Sequence, residues 1–256
     1  MSGIPLTSEF DELIVLDLLD PNFARSLGGG FHSIIHVAAA STGSPRHLMQ
    51  VTGMATETLA QFAIAIGAQR FVHVSSISVY GTVTKEEVTP LTPIKHSSPY
   101  GAAKWAAECY LQELQELLPS RSIRSCAIVG KVSHRNFLAQ TLLAMRNNEP
   151  TIQLSNPEFL FNNVVHEETL AKFLVHLALN SWSGFLAAPV ASTDAIPLSE
   201  VISLMARRTD YRGKIQWIPA RTPPFSISID AASELGYEPM STHDSIQKWL
   251  REDFVS

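Results

Sequence analysis

The chain is poor in the features that mark nucleic-acid binding, secretion or membrane insertion. Its 19 Lys and Arg are outnumbered by 24 Asp and Glu, for a net charge of -5. No basic run appears anywhere, which argues against a nucleic-acid groove. Cysteine is scarce, with only Cys109 and Cys126. Both stand in apolar surroundings without metal spacing, so two buried, reduced thiols in a cytosolic protein are expected. No apolar run approaches the ~20 residues of a membrane span. Met1-Ser-Gly-Ile-Pro-Leu-Thr7 has neither a basic nor an apolar leader region, which leaves the cytoplasm as the default compartment. Internal repeats, low-complexity segments and His/Cys/Asp spacings suited to a metal are also lacking. What remains is an ordinary globule of 256 residues, 45% hydrophobic and 17% charged. That length can bury the core of one domain, with or without a smaller lobe.

Strand and helix signals alternate through the first two-thirds. Leu13–Leu16 is a short apolar run closed by Asp17. Ser33–Ala40 is apolar on both faces, as a buried parallel strand should be. Thr52–Ala68 has helical spacing and stops at Gly67, a natural C-cap. Phe71–Val74 is the next strand, Tyr100–Leu118 a helix opened by Pro99, Ile123–Val129 a strand and Asn136–Asn147 a helix. This rhythm implies an α/β fold with a parallel sheet flanked by helices. From about Val132 the pattern changes to helices at Glu167–Leu179, Leu198–Arg208 and Thr242–Arg251, separated by short strands and turns such as Arg221-Thr-Pro-Pro224. The expected division is a sheet domain over 1–132, with elements from 162–180, and a small, mainly helical, interleaved lobe over 133–256.

Chemistry concentrates between positions 71 and 104. Phe71-Val-His-Val-Ser-Ser-Ile-Ser-Val-Tyr-Gly81 reads as a strand ending in hydroxyls, and Ser98-Pro-Tyr-Gly-Ala-Ala-Lys104 as the start of a helix. Residues four apart share a helix face, so Tyr100 and Lys104 can point into one site opposite a strand-end serine. A phenol, an ammonium and an alcohol are suited to moving a proton to or from a hydroxyl. The blander alternative is an amphipathic surface helix beside strand-capping serines. Among other polar residues, Asp17 is as readily a turn former as a ligand. His36 and His73 fit satisfied core histidines. His96 is a loop residue or a second acid/base near Tyr100, and His166 with Glu167 and Glu168 caps the following helix. Phe159, Phe161 and Trp217 hint at a ring-bearing ligand but equally at core.

With these residues laid out, the chain resembles the NAD-dependent epimerase/dehydratase family, the extended short-chain dehydrogenases. Val15-Leu-Asp17-Leu-Leu-Asp20 is similar to the family's acidic strand end near the adenine, and His36-Val-Ala-Ala39 to the end of its fourth strand. Ser75-Ser76 through Tyr80-Gly81, then Tyr100-Gly-Ala-Ala-Lys104, resemble its active-site strand and helix. Val164-Val-His-Glu-Glu168 and the stretch from Ile229-Asp230 to Leu235-Gly-Tyr-Glu-Pro239 resemble its later signatures. The resemblance implies catalytic roles for Ser76, Tyr100 and Lys104. It also implies NAD or NADP contacts for Asp17, Leu18, Ala38, Ala39, Tyr100 and Lys104.

The departures are equally informative. The family opens with a strand, a Gly-x-x-Gly-x-x-Gly turn, a helix and a second strand, and no such turn occurs in this sequence. Backbone N–H groups at that turn hold the pyrophosphate. Gly28-Gly-Gly30 precedes a strand instead of joining a strand to a helix, and reads as a flexible turn. The family's Arg-Pro pair beside the nicotinamide is replaced by Ile128-Val129, and an expected Asn by Gln50. In a doubly wound sheet the absent strand would lie beside 33–40, leaving an unpaired edge. Either coding sequence has been lost ahead of Met1, or Leu13–Leu18 fills the slot, or a homodimer partner covers it.

The sequence therefore implies a truncated Rossmann-like protein acting on a small oxygenated molecule, with no nucleic-acid or membrane partner. An NAD(P)-linked oxidoreductase or epimerase comes first. A cofactor-independent isomerase or cyclase using the same trio, as in specialised metabolism, comes second. A non-catalytic binding remnant comes third.

Overall fold

A computed structural model of the chain describes residues 13–20, 22–28, 30–96, 98–131, 133, 135–220 and 222–252. The first residues, Met1–Thr7, and Gly29, Val132 and Arg221 lie outside these residues.

A four-stranded, wholly parallel sheet organises the chain. Its strands are β1 (Ser33–His36), β2 (Arg70–Ser76), β3 (Ser120–Ser125) and β6 (Phe185–Val190), side by side in that order. Helices α1 (Ala55–Ala65) and α2 (Pro99–Glu113) make the crossovers, and α4 (Glu167–Leu179) precedes β6. The alternation of β2 sets the two faces. Phe71 packs with Leu59, Phe62 and Leu111 of α1 and α2. Val72 and Val74 pack with Leu170, Phe173 and Leu177 of α4. A second parallel pair, β4 (Ala127–Val129) and β5 (Val164–His166), carries the chain away from this sheet. Beyond it α3 (Phe137–Arg146), α5 (Leu198–Thr209) and α6 (Thr242–Glu252) enclose another core around Leu138, Met145, Met205 and Trp249.

Local signals explain several boundaries. Pro99 occupies the first turn of α2 and the Ser98 hydroxyl accepts from Gly101 N at 3.0 Å, a regular N-cap. α1 stops where Gly67, at φ 72°, lets Ala68 N reach Ala63 O at 2.9 Å. His166 caps α4, accepting from Glu168 N at 3.3 Å, with Glu167 and Glu168 in the first turn.

Other expectations are corrected. The strand expected over Ser33–Ala40 ends at His36, its last partner in β2 being His73. Leu13–Leu18 does not enter the sheet. It forms a turn in which the Asp17 carboxylate accepts from Leu19 N at 2.9 Å, while Leu16 and Leu18 rest on the core beneath α1. Among the described residues β1 is therefore the outer strand. The strand expected over Ile123–Val129 is two strands, because at Cys126 the chain leaves β6 as neighbour for β5. The helix expected from Thr52 begins earlier, with a helical turn at Pro45–Leu48 and a π-helical stretch at Met49–Met54 before α1. α2 ends at Glu113 instead of Leu118. Cys126 is buried but Cys109 is exposed, since it falls on the outer face of α2.

One buried polar contact joins these elements. Glu108 of α2 and Arg124 of β3 form an ion pair at 2.6 Å with almost no solvent exposure. The same carboxylate accepts from Ser75 of β2 at 2.5 Å, and Arg124 donates to the Tyr80 hydroxyl at 2.8 Å. Glu108→Gln leaves Arg124 buried without its counter-charge, and urea unfolding should show a loss of about 3–5 kcal/mol. The double replacement Glu108→Leu/Arg124→Met is expected to cost much less. Equal stability of Glu108→Gln and the parent would show that the pair contributes nothing.

Candidate active site

Ligands of parallel α/β sheets bind beyond the carboxyl ends of the strands. Here Ala38–Ala40 follow β1, Ser76 ends β2 and Ser125 ends β3. Two clefts open along this edge.

The larger, of about 520 Å³, is lined by Ser76, Ser78, Tyr100, Cys126, Asn136 and Glu167, among others. Ser76 closes β2 and caps a 3-10 turn over Ile77–Tyr80, its hydroxyl accepting from Ser78 N and donating to Ser78 Oγ, both at 3.1 Å. The start of α2 presses against this turn. A Cβ on Gly101 would stand 2.3 Å from Ser78 O, so only glycine permits the approach. That contact brings the Tyr100 phenol to the same cleft as Ser76, close enough for the hydroxyl to act on it. Burial pushes the phenol above its ordinary value of 10, and the Ser76 hydroxyl opposes the shift. At neutral pH Tyr100 is a proton donor, not a phenolate.

Lys104 stands one turn along α2, buried and outside the cleft lining. Its Nζ donates to Val74 O at 2.5 Å. Burial lowers it to about 8, with Glu108 opposing the shift. The structure thus brings Ser76 and Tyr100 together and places Lys104 behind them, turned to the β2 backbone. Across the cleft, Glu167 lies against Gly130 and accepts from Lys131 N at 3.2 Å. Arg135 lines the rim and donates to Ser41 Oγ at 3.0 Å.

The second cleft, of about 350 Å³, gathers Asp17, Leu18, Ala38, Ala39, Val51 and Ala55. Three successive alanines, Ala38–Ala40, keep one wall shallow, so a flat group can approach the backbone. Four expected cofactor contacts therefore share one cavity, whereas Tyr100 lines the other and Lys104 neither. His96 is an exposed loop residue. Among the described residues no three His, Cys, Asp or Glu converge as a metal site, and no helix is long and apolar enough to cross a membrane.

Ser125, Cys126, Arg135 and Glu167 were not foreseen as cleft residues. Glu108 was legible in principle, since Tyr100, Lys104 and Glu108 repeat at four-residue intervals on one face of α2.

Strand order and helix placement together define a Rossmann-like parallel sheet flanked by helices. Comparison with known proteins gives the family. The model of the NAD dependent epimerase/dehydratase family matches residues 4–162, and the chain belongs to that family. An uncharacterized protein of Sinorhizobium fredii, y4nG, is 24% identical over 236 residues, 90% of this chain and 57% of that protein. The dTDP-glucose 4,6-dehydratase of Streptomyces niveus is 30% identical over 97 residues, 36% of this chain and 29% of the enzyme. The chain thus spans little more than half the length of these curated relatives at most. Among solved structures, MoeE5 in complex with UDP-glucuronic acid and NAD superimposes with a TM-score of 0.79 at 21% identity, covering 94% of this chain and 85% of MoeE5. UDP-glucuronic acid 4-epimerase from Bacillus cereus in complex with NAD gives 0.79 at 16% identity, covering 94% and 79%. At such identities the likeness is one of fold.

Behind the site, two buried histidines stack at 5.8 Å between ring centroids. His36 is lowered from 6.5 to about 4, first by burial and then by Lys104, and His73 falls well below its ordinary value for the same reasons. Both stay neutral in the fold while an unfolded chain takes up protons near 6.5. Stability is thus complete above that pH and falls as pH drops towards 4. For His36 alone the loss is of order 3 kcal/mol. Urea midpoints at successively lower pH should fall, and His36→Gln should flatten the slope. An unchanged slope would show that His36 protonates freely in the fold.

Proposed function

We propose that the chain carries the catalytic part of an NAD(P)-linked enzyme that interconverts hydroxyl and carbonyl on a nucleotide-linked sugar. The carrying observation is the convergence of Tyr100 and Ser76 in a cleft at the carboxyl edge of the sheet, beside a second cleft holding Asp17, Leu18, Ala38 and Ala39. The substrate class is drawn from the dTDP-glucose 4,6-dehydratase relative and the UDP-glucuronic acid-bound MoeE5. Tyr100 as it stands gives a proton to the reacting oxygen, and takes one from it only where an added positive charge, such as an oxidised nicotinamide would bring, lowers its phenol; Ser76 orients that oxygen, and Lys104 holds the end of β2 through Val74. The residues present fit the adenosine end of a dinucleotide, with Asp17 at the mouth of a shallow apolar wall. When bound, the dinucleotide supplies a hydride acceptor.

A cofactor-independent isomerase or cyclase using the same residues is the second reading. It is favoured by the neutral phenol of Tyr100 and by a Lys104 already engaged with Val74 O. A group that works as an acid without an added positive charge needs no nicotinamide to tune it.

Native mass spectrometry with NAD and NADP should show one dinucleotide per chain. UDP-glucuronic acid, UDP-glucose or dTDP-glucose should be turned over, and Tyr100→Phe should lower that turnover about 100-fold or more. Turnover without bound dinucleotide would establish the second reading. Turnover unaffected by Tyr100→Phe would overturn both.

A further inference from the structure

The second core presents a cleft that the Ser76–Tyr100 site does not use. It occupies about 310 Å³ between the last turns of α5 and α6. Leu204 and Leu250 make its apolar surface, Gln247 one wall, and Arg207, Arg208 and Arg251 its remaining lining. No acidic residue lines it among the described residues, in a chain where Asp and Glu outnumber Lys and Arg by 24 to 19.

A basic residue in a last helical turn ordinarily answers the helix dipole. Two of the three arginines have backbone contacts of that kind, Arg208 Nε donating to Leu250 O at 3.2 Å and Arg251 Nε to Gln247 O at 3.3 Å. These contacts hold the side chains on the cleft, and that of Arg251 engages only Nε. The terminal nitrogens of Arg251, within electrostatic reach of Asp244, and the whole guanidinium of Arg207 make no hydrogen bond or ion pair among the described residues. Guanidinium forks match carboxylate and phosphate oxygens in pairs. Dipole compensation accounts for charge at each helix end. It does not account for two helices bringing such groups to one cavity with an apolar surface.

We propose that this cleft binds a small organic anion, a carboxylate or phosphate monoester carried on an apolar ring or short chain. The charged end lies between Arg207 and Arg251 and the apolar body against Leu204 and Leu250. The volume is at the lower end of the range for small-molecule sites, which selects a compact ligand.

Titration calorimetry of the full chain at physiological salt tests this with phenyl phosphate, benzoate, inorganic phosphate and benzyl alcohol. Phenyl phosphate or benzoate should bind at one site per chain, the better of the two identifying the anionic group. Inorganic phosphate should bind about tenfold more weakly for want of the apolar body, and benzyl alcohol should give no heat. The exposed replacements Arg207→Gln and Arg251→Gln should each weaken binding about tenfold or more, as loss of a charged hydrogen bond does. Arg207→Lys should retain part of it, and Arg135→Gln, at the Tyr100 cleft, should change nothing. Full affinity in both glutamine variants, loss in Arg135→Gln, equal binding of inorganic phosphate, or no binding of either aromatic anion would each overturn the proposal.

Discussion

The carboxylate of Glu108 has three claims on it, and the candidate site depends on how they are met. It pairs with Arg124, accepts from Ser75 and lies within the electrostatic reach of Lys104. Each partner belongs to a different part of the sheet or its covering helix. One side chain thereby fixes the depth of α2 against β2 and β3, two strands whose ends carry Ser76 and Ser125. Removing such a charge is costly because water cannot replace it, whereas apolar packing often can. The contact is better understood as a locator than as a source of net stability.

That placement sets the character of Tyr100. The phenol shares the cleft of Ser76 because α2 begins hard against the 3-10 turn, where Gly101 allows backbone and backbone to meet. It is shielded enough to resist ionisation, and its neighbour is a hydroxyl, not an ammonium. Lys104 meanwhile satisfies its own burial by bonding the backbone of β2. Proton donation is thus built into the first turn of the helix, while positive charge is kept one layer deeper. The histidines beneath are neutral chiefly because they are buried, and the nearby ammonium makes their protonation costlier still.

Much of this was legible in the residues. The Tyr100–Lys104 spacing, the Ser98-Pro99 start and the His166-Glu167-Glu168 cap are local signals, and local signals survive without knowledge of the fold. The helices at 167, 198 and 242 combined apolar period with clear ends, and their limits moved by no more than a residue. β3 was harder. Ser120-Arg-Ser-Ile-Arg-Ser125 carries two arginines and three serines, yet all six residues are buried. Its charge is answered from other elements, by Glu108 and by the indole of Trp182, over which Arg121 lies at 4.2 Å. A pairing between elements has no signature in either one alone. The break at Cys126 was invisible for a like reason, since it marks a change of neighbour instead of a change of propensity. Val15-Leu-Asp17 failed as a strand because Asp17 spends its carboxylate on Leu19 N.

The sealed pair also constrains how the protein can diverge. Any lineage that loses Glu108 or Arg124 first passes through a chain with an orphan charge in its interior, and Tyr80 or Ser75 loses a partner in the same step. Neutral drift is blocked at four positions together, although each taken singly looks like an ordinary surface-type residue. Descendants that leave this arrangement must do so by coupled replacement, so kinship here is better traced through pairs of sites than through conservation at any one.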